Sequence, residues 1–405
     1  MTAAQLALFD RPETSSIVEE LSQFRYRGVR TIVEDRGGIP FFFNEFWTAR
    51  QRQGHAIHEI SYRACFKSQL PEFFIDRLTN PLDVVYDPFM GRGTTPIQAV
   101  LMDRIGIGND INPLSKYLAR PRTNPPTVTD IANRLRDIAW SGSLDNADEL
   151  LVFYHPDTLR EINALRSYLA GREVASEFDG VDDWIRMIAL NRLTGHSPGF
   201  FSVYSLPPNQ AVSVGAQRKI NEKREQTPPR RVVPDIILKK SKSLLKDGVP
   251  PTPRIAEFHT ASANKTPDIE TSSVNLVVTS PPFLDIVQYA GDNWLRCWFA
   301  GIDADVVPIA MHKKPADWRD FTRGVFHELG RVVRSGGHVC FEVGEVRGGQ
   351  IELETLVLDA IKDLPFAVMG VLINVQEFTK TANCWGVSNN SKGTNTNRVI
   401  IAKRL

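Results

Sequence analysis

The chain has 405 residues, of which 42% are hydrophobic and 23% are charged, and its formal net charge is +1. This composition is ordinary for a soluble globular protein. A net charge near zero excludes bulk basicity as a source of nucleic-acid affinity, which would have to come from local patches. The chain is too long for a typical single core, so we expect one large α/β domain with an inserted or second unit.

The cysteines and the apolar runs further restrict the class of protein. The four cysteines are Cys65, Cys297, Cys340 and Cys384. They form no CxxC pair and no metal-ligand spacing, so we expect reduced thiols and no metal site. No apolar run approaches the roughly 18 residues that span a bilayer, and the N-terminus lacks the basic region of a signal peptide. These features favour a cytoplasmic protein that does not contact a membrane.

The first predicted elements alternate between helix and strand. Residues 71–79 predict a helix with Pro71 in its first turn. Residues 83–95 predict a strand, a glycine-containing turn and a second helix, and residues 104–113 predict a short strand that ends at Asp110. This order is typical of a parallel sheet.

The middle of the chain differs in composition and in predicted secondary structure. Residues 147–170 and 181–193 carry the apolar spacing of helices. Residues 218–246 contain ten Lys or Arg against three acidic residues. The α/β pattern resumes with a strand from 274, a helix near 317–333, a turn at Gly336-Gly337, and strands at 338–345, 366–374 and 397–403. A polar segment, 389–398, lies before the last strand and is predicted to be a surface turn.

The segment 87–95 (DPFMGRGTT) lies between a predicted strand and a predicted helix. Gly91 and Gly93 allow the backbone to approach a ligand closely. The segment is not a Walker loop, because no Gly-Lys-Ser/Thr follows, and it lacks the third glycine of the dinucleotide motif. An acidic residue at the start of the loop suits a ligand with a positive or donor-rich head group. Asp110 ends the next strand, where an acid accepts hydrogen bonds from ribose hydroxyls.

This pattern fits S-adenosylmethionine, with its ammonium group near Asp87 and its ribose at Asp110. The alternative interpretation is a structural turn in which Asp87 caps the following helix. The candidate cofactor-binding residues are Asp87, Pro88, Phe89, Gly91, Gly93, Thr94 and Asp110.

Two prolines end the strand predicted at residues 274–279. They remove two backbone donors and fix two φ angles, so they form a rigid corner between a hydroxyl and an aromatic ring. A rigid loop between strand and helix is the alternative interpretation. The candidate catalytic residues are Ser280, Pro281, Pro282 and Phe283.

The DPFMGRGTT and SPPF segments resemble the amino-methyltransferases that methylate N4 of cytosine or N6 of adenine in DNA. In that family the first segment is motif I, the cofactor loop, and the second is motif IV, the catalytic loop. Residues 54–75 resemble motif X, and residues 326–345 resemble the later motifs. The motif order resembles the α arrangement, in which the target-recognition region lies between the cofactor and catalytic halves.

The resemblance implies an α/β fold, namely a Rossmann-like SAM-dependent methyltransferase with a mostly parallel seven-stranded sheet and an inserted, largely helical and basic region. We expect residues 1–115 to form the N-terminal part of the methyltransferase domain and residues 271–405 its C-terminal part. Residues 116–270 would form the inserted region, a candidate for target recognition.

The resemblance also implies direct methyl transfer to a base that is flipped out of the duplex. The Ser280 hydroxyl and the Pro281 carbonyl would accept hydrogen bonds from the exocyclic amine and favour its developing positive charge. Phe283 offers a face on which the base can stack. Because Ser in the first position goes more often with cytosine, we expect N4 of cytosine as the target, with N6 of adenine as the alternative.

The implied partner is double-stranded DNA, with a cognate restriction endonuclease as a further candidate. An RNA methyltransferase of the tRNA guanine-N2 type and a non-catalytic nucleic-acid-binding protein are the other functions considered. The basic stretch either contacts phosphates or forms a solvated surface. Its candidate nucleic-acid-binding residues are Arg218, Lys219, Lys223, Arg224, Arg230 and Arg231.

Overall fold

The fold is that of a computed structural model. It describes residues 16–48, 54–62, 65–144, 149–206, 211–249, 256–284, 289–309, 312–346, 350–375 and 396–405. The N-terminal residues 1–15, Cys384 and most of the polar segment, 389–395, lie outside these ranges, so the predictions made for them stay predictions.

The strands of the described residues fall in both halves of the chain. They are β1 (Arg25–Tyr26), β2 (Val29–Arg30), β3 (Ile32–Arg36), β4 (Ile39–Asn44), β5 (Val84–Asp87), β6 (Ile105–Asn109), β7 (Ala256–His259), β8 (Val274–Thr279), β9 (Val333–Val343), β10 (Glu345–Val346), β11 (Ile351–Glu352), β12 (Phe366–Val375) and β13 (Thr396–Arg404).

The α-helices of the described residues surround the sheet and fill the middle of the chain. They are α1 (Ile17–Gln23), α2 (Gln69–Leu78), α3 (Thr94–Leu101), α4 (Pro113–Ala119), α5 (Val128–Asp137), α6 (Pro156–Val174), α7 (Gly180–Arg192), α8 (Val214–Lys223), α9 (Val233–Leu244), α10 (Tyr289–Ala300), α11 (Pro315–Val332) and α12 (Leu353–Ile361). None of these helices is long and apolar enough to cross a membrane.

The central sheet has the strand order β3-β4-β12-β13-β9-β8-β5-β6-β7. The pairs on its β9-to-β7 side are all parallel, as is the β12–β4 pair, so the predicted α/β fold with a mostly parallel sheet is confirmed. The resemblance implied seven strands, and the sheet has nine. The difference arises because the hairpin β3–β4 extends the sheet beside β12.

Helices cover both faces of this sheet, as the side-chain alternation of β8 illustrates. Val277 packs in the apolar cluster that contains Phe326 of α11, whereas Leu276 and Val278 pack in the cluster that contains Phe74 of α2. Alternate residues of a strand point to opposite faces, so a strand buried on both faces is a continuous apolar run. The run in β8 therefore marks a central strand whose C-terminal loop opens at the sheet edge.

A third apolar cluster lies between the middle helices α5, α6, α7 and α9 and the helix α10 that follows the predicted catalytic loop. Asp182 of α7 is fully buried and pairs with Arg134 of α5 and Arg172 of α6, which ties three helices together. The predicted domain boundaries stay a prediction. One strand from the predicted inserted region, β7, nevertheless lies in the central sheet beside β6.

The segment around Gly336-Gly337 was predicted to be a turn, and it lies within the continuous strand β9. The pairing of β9 with β8 shifts here, from Val274↔Val333 to Leu276↔His338. A Cβ atom on Gly337 would lie 2.9 Å from the Asn275 carbonyl oxygen, so the close approach of the two strands explains the glycine. The two glycines thus accommodate an irregularity in a strand rather than a chain reversal.

A buried amide at the end of β6 fixes the loops after the two neighbouring strands, β5 and β7. Asn109, the last residue of β6, is fully buried, and its Nδ2 donates to the carbonyls of Ala261 at 3.0 Å and Pro88 at 3.3 Å. Its Oδ1 accepts from the Ala261 amide at 3.0 Å. The side chain therefore connects the loop after β5 to the loop after β7.

Replacing Asn109 by Ala is expected to lower the free energy of unfolding by about 2–4 kcal/mol, because it leaves buried backbone groups of Ala261 and Pro88 without partners. Urea unfolding at equilibrium measures this change. The control is Asn80→Ala at an exposed site, which is expected to change stability by less than about 0.5 kcal/mol. Equal effects of the two substitutions would contradict the connecting role of Asn109.

Candidate cofactor and catalytic site

Asp87 is the last residue of β5 and lies at the sheet edge, nearly fully buried. Its Oδ1 accepts from the Phe89 amide at 3.0 Å and from the Thr279 hydroxyl at 2.6 Å. Thr279 ends β8, the neighbouring parallel strand. The bond to Thr279 therefore holds the start of the predicted cofactor loop against the start of the predicted catalytic loop.

The second carboxylate oxygen of Asp87, Oδ2, is buried and has no hydrogen-bond partner among the described residues. Burial raises the pKa of Asp87 from 3.8 to about 7, although the hydrogen bonds from Thr279 and Phe89 oppose this shift. A buried carboxylate with an unused oxygen is a favourable partner for a cation. The arrangement thus fits the predicted ammonium group of S-adenosylmethionine.

Asp110 directly follows β6 and links the loops of two adjacent strands. Its Oδ2 accepts from the Gly91 amide at 2.8 Å, and its Oδ1 accepts from the Asn112 amide at 2.9 Å. Each carboxylate oxygen can accept a second hydrogen bond. Asp110 therefore keeps acceptor capacity for ribose hydroxyls while it shapes the cofactor loop, and burial raises its pKa.

The two glycines of the cofactor loop have different structural reasons. Both have positive φ, +50° at Gly91 and +79° at Gly93. A Cβ atom on Gly93 would lie 2.5 Å from the Cβ of Ala119, so Gly93 is required by the contact with α4. At Gly91 the nearest atom to such a Cβ is Cys65 Sγ at 3.3 Å, followed by the Tyr62 ring at 3.7 Å. Gly91 thus lies beneath the segment predicted as motif X.

The motif X segment is held over the cofactor loop by polar contacts. The phenol oxygen of Tyr62 accepts from Asn112 Nδ2 at 2.8 Å. The Arg92 guanidinium donates to the carbonyls of Ile60 at 2.8 Å and Phe66 at 3.0 Å. The cofactor loop therefore supplies, through Arg92, the side chain that fixes the segment above it.

The other predicted cofactor residues serve mainly to shape this loop. Pro88 is buried, and its carbonyl accepts from Asn109. The Phe89 ring is partly exposed and lies 5.9 Å from the ring of Phe321 in α11. Thr94 is buried in the first turn of α3, and its hydroxyl accepts from Arg92 Nε at 3.1 Å.

The catalytic loop begins directly after β8. Ser280 is partly exposed, Pro281 is buried, and Pro282 and Phe283 are partly exposed. The Pro282 carbonyl accepts from the indole nitrogen of buried Trp318 at 2.9 Å. This bond fixes the outer end of the proline pair against α11, so the loop is held at both ends and Ser280 lies between them.

Ser280 hydrogen-bonds to the carboxylate of Glu342, a buried residue near the end of the adjacent strand β9. Asn397 Nδ2 donates to Glu342 Oε1 at 2.9 Å. Burial raises the pKa of Glu342 to about 6, and the hydrogen bonds from Ser280 and Asn397 oppose the rise. Glu342 is therefore an ionised acceptor for the serine proton at neutral pH.

The six predicted nucleic-acid-binding residues are in different environments. Arg218, Lys219 and Lys223 are exposed on α8. Arg224 lies 3.8 Å from the ring centroid of Tyr204.

The last two of the six residues face α6. Arg230 forms ion pairs with Asp157 at 3.2 Å and Glu161 at 2.7 Å, and the Arg231 backbone bonds to Thr158. Because Arg230 is neutralised within the protein, α8 offers the free part of the predicted basic surface.

Helix α8 is connected to the helix that follows the catalytic loop. The Trp294 indole nitrogen of α10 donates to the Val212 carbonyl at 3.2 Å, and the Ala211 amide donates to the Asp292 carbonyl at 3.2 Å. The segment that leads into α8 thus packs on α10, and the basic helix has a fixed relation to the catalytic half.

Sequence reasoning missed Glu342, Asn109 and Tyr62. Glu342 had a signal, because it is an acid inside the apolar strand run VCFEV. A charged residue in a strand buried on both faces needs a partner or a function. The partners of Asn109 and Tyr62 lie in distant parts of the chain, which no local pattern indicates.

Comparison with known proteins identifies the segment that carries the cofactor loop. Residues 23–120 match the N6/N4 methyltransferase family, which is described as DNA methylase. This segment, which is less than half of the chain, is similar to the DNA methylase family. It includes the whole cofactor loop and Asp110, whereas the catalytic loop lies outside the match.

Two type II methyltransferases resemble parts of the chain. M.MjaII of Methanocaldococcus jannaschii is 35% identical over 89 residues, which are 22% of this chain and 16% of that protein. M.MvaI of Kocuria varians is 26% identical over 128 residues, which are 31% of this chain and 25% of that protein. The chain therefore spans a quarter or less of each relative's length.

Among solved structures, geranyl diphosphate methyltransferase in complex with GPP and sinefungin aligns over 84% of this chain and 78% of its own. The identity is 12% and the TM-score is 0.35. A likeness at this level carries no conclusion about function.

The stability of the protein without ligand is expected to fall as the pH rises from 4 to 7, because folding raises the pKa of Asp87 from 3.8 to about 7. The folded state holds a proton in this window that the unfolded chain releases, so one such group lowers stability by up to roughly 1.4 kcal/mol per pH unit.

Urea unfolding across this pH range compares the wild type with Asp87→Asn, which is expected to have a shallower slope because position 87 no longer titrates. The matched control is Asp268→Asn at an exposed site, which is expected to keep the wild-type slope. Parallel curves for wild type and Asp87→Asn would show that Asp87 ionises normally in the folded protein.

Proposed function

We propose that the protein is a site-specific DNA methyltransferase that transfers a methyl group from S-adenosylmethionine to an exocyclic base amine, with N4 of cytosine as the preferred target. The observation that carries this proposal is the hydrogen bond of 2.6 Å between Thr279 and Asp87. It joins the strand ends that bear the cofactor acid and the catalytic loop. The family match of residues 23–120 supports the same activity.

The residues at the end of β5 and β6 fit the cofactor. The unpaired Oδ2 of buried Asp87 would bind the ammonium group, and Asp110 would accept from the ribose hydroxyls. Gly91 of the cofactor loop lies next to Tyr62 of the motif X segment, since a Cβ atom on Gly91 would be 3.7 Å from the Tyr62 ring. When bound, S-adenosylmethionine supplies an electrophilic methyl group on its sulfonium sulfur.

The catalytic loop would activate the amine of the target base. An exocyclic amine is a poor nucleophile because its lone pair is delocalised into the ring. The Ser280 oxygen and the Pro281 carbonyl would accept from its two N–H groups and favour the positive charge that develops on nitrogen. Ser280 can play this part because it donates its own proton to Glu342 and so turns its lone pairs to the base.

The amine must lose a proton when it gains the methyl group. We infer that the proton moves to the Ser280 oxygen while the Ser280 hydroxyl proton moves to Glu342. The pKa of Glu342, about 6, leaves this carboxylate ionised at neutral pH but close enough to neutrality to accept a proton. Glu342 thereby acts as the general base, a role that a neutral serine cannot fill alone.

The choice of cytosine rests on Ser280, since the resemblance associates serine at this position more often with N4 of cytosine. Adenine N6 is the second candidate target, because both bases present an exocyclic amine to the same pair of acceptors. Phe283 is partly exposed and would stack on either base after it leaves the duplex.

Double-stranded DNA is the proposed substrate, and α8 supplies exposed charge for its backbone through Arg218, Lys219 and Lys223. The packing of residues 211–212 on α10 places this helix in a fixed relation to the catalytic half. A cognate restriction endonuclease is a further proposed partner, by likeness to the type II methyltransferases.

Incubation with methyl-labelled S-adenosylmethionine is expected to transfer label to duplex DNA and not to tRNA. Digestion of the product to nucleosides is expected to yield N4-methylcytosine, because Ser280 is the first residue of the tetrad. N6-methyladenine would instead establish the second candidate target.

Ser280→Ala is the control for this assay, and it is expected to bind cofactor and lose transfer. Label in tRNA alone would overturn the DNA proposal in favour of an RNA methyltransferase. Cofactor and DNA binding without transfer to either nucleic acid would favour a non-catalytic binding protein.

Glu342→Gln is expected to lower kcat by about 100-fold or more, because the amide cannot accept the serine proton. In the wild type, kcat is expected to rise with pH through about 6, where Glu342 becomes ionised, and then to level off. The variant is expected to lose this rise, as a pH series of single-turnover rates would show.

Glu270→Gln, at an exposed position shortly before β8, is the matched control and is expected to keep both the wild-type rate and its pH profile. An unchanged pH profile in Glu342→Gln would assign the titration to another group and contradict the proton path. Cofactor affinity, measured in parallel, is expected to be the same in all three proteins.

A further inference from the structure

Cationic side chains from four parts of the chain converge on the motif X segment 56–61. Arg92 donates to the Ile60 carbonyl at 2.8 Å, and Arg122 donates to the Ile57 carbonyl at 3.2 Å. Arg296 of α10 donates to the Ser61 carbonyl at 3.2 Å. Lys240 of α9 lies 3.8 Å from the carboxylate of Glu59. The segment therefore lies at the junction of the cofactor loop, α10 and the middle helices.

Arg192, the last residue of α7, lies beside this junction. The preceding residue, Asn191, donates from Nδ2 to the Ser61 carbonyl at 3.2 Å. The Arg192 guanidinium bonds to Asn191 and stacks 4.0 Å from the ring centroid of Phe200. Arg192 is partly exposed, so an external group can reach it.

The charges of Arg122 and Arg192 are not compensated by acids among the described residues. In the part of the chain that the structure describes, Arg122 and Arg192 have hydrogen bonds to carbonyl or amide oxygens and no acidic partner. Arg122 is fully buried. Lys240 has one acidic neighbour, Glu59, whose side chain is 48% exposed. Carbonyl oxygens satisfy donors, but they do not neutralise a buried charge.

Burial and repulsion lower the pKa of three cations at this junction. Burial, with repulsion from Arg92, lowers the pKa of Arg122 to about 9, and burial with repulsion from Arg296 lowers the pKa of Arg192 to about 10. Burial, with repulsion led by Arg192, lowers the pKa of Lys240 to about 8 despite the opposing charge of Glu59. An anion bound here would relieve this repulsion.

We propose that Arg192 and Lys240 form a binding site for a phosphodiester group of the DNA backbone. Both side chains are incompletely buried, whereas Arg92 and Arg122 are engaged with loop carbonyls. Lys240 contacts Glu59, and Arg192 follows Asn191, which contacts Ser61. Arg192 supplies planar guanidinium donors, and Lys240 supplies a compact charge. The remaining charges that act on Lys240 are Glu59, Arg122 and Lys246.

The location favours the nucleic acid over the cofactor as the source of the anion. Arg192 and Lys240 both belong to the middle region, which carries the exposed basic helix α8. The segment between them and the cofactor loop is 56–61, which Tyr62 directly follows. This inference rests on the proposed DNA methyltransferase function.

The test measures the binding of the full-length protein to duplex DNA as a function of salt concentration, for the wild type, Lys240→Gln and Arg192→Gln. Each variant is expected to bind several-fold more weakly at low salt and to lower the slope of log K against log salt by about 0.9, the value for one lost phosphate contact. Lys239→Gln, which removes an exposed lysine one position away on α9, is expected to keep the wild-type slope. Affinity for S-adenosylmethionine is expected to be unchanged in all of them.

The outcomes separate this site from the proposed function. If the wild type methylates DNA but Lys240→Gln keeps its salt slope, the phosphate site is wrong and the function stands. If Lys239→Gln and Lys240→Gln lower the slope equally, the effect is one of general charge, and the site is again wrong. If the wild type transfers methyl groups only to tRNA, the proposed function fails. Lys240 forms its ion pair with a half-exposed acid, so Lys240→Gln is expected to fold. A change in its salt slope therefore reports on DNA binding.

Discussion

The parallel alignment of β5, β8 and β9 is the constraint on which the rest of the site depends. Tyr86 pairs with Val277, and Val277 pairs with Val339, so the three strands end at the same edge of the sheet. Asp87, Thr279 and Glu342 then fall at or near successive strand ends without any long connecting loop. The hydrogen bond from Thr279 to Asp87 couples two segments that are 192 residues apart in the chain.

Asp87 and Glu342 share a second feature, which is that their charges are buried and only partly stabilised by hydrogen bonds within the protein. Asp87 and Glu342 are both carboxylates whose pKa is raised by desolvation, to about 7 and about 6. Each keeps only part of its hydrogen-bonding capacity within the protein, so each is poised to interact with a charge or proton that arrives from outside. The same argument with the opposite sign applies to Arg192 and Lys240. In all four cases the folded protein tolerates an electrostatic cost that a substrate or cofactor would reduce.

The sequence alone was sufficient to predict the elements that are marked by a local pattern of residues. The DPFMGRGTT and SPPF segments follow apolar strand runs, and strand ends are where an open α/β sheet binds ligands, so their joint placement could be predicted. Glu342 could not be assigned a partner, because the neighbour of β9 in the sheet is fixed only by the fold. The prediction of a turn at Gly336-Gly337 was wrong for a related reason. Glycines required by a close approach of two strands look, in sequence, like glycines of a turn.

Residues of the basic stretch 218–246 look alike in the sequence, but tertiary contacts neutralise some of them and leave others available. Arg230 is neutralised by Asp157 and Glu161, acids that precede it by about 70 residues and lie on α6. Arg192, in contrast, belongs to no basic run and attracts no attention in the sequence, yet it has no acidic partner among the described residues. Available positive charge is therefore set by the absence of nearby acids in the fold. The nucleic-acid surface that we propose is consequently smaller than the basic stretch 218–246, and it includes Arg192 and Lys240 at the junction beside the predicted cofactor loop.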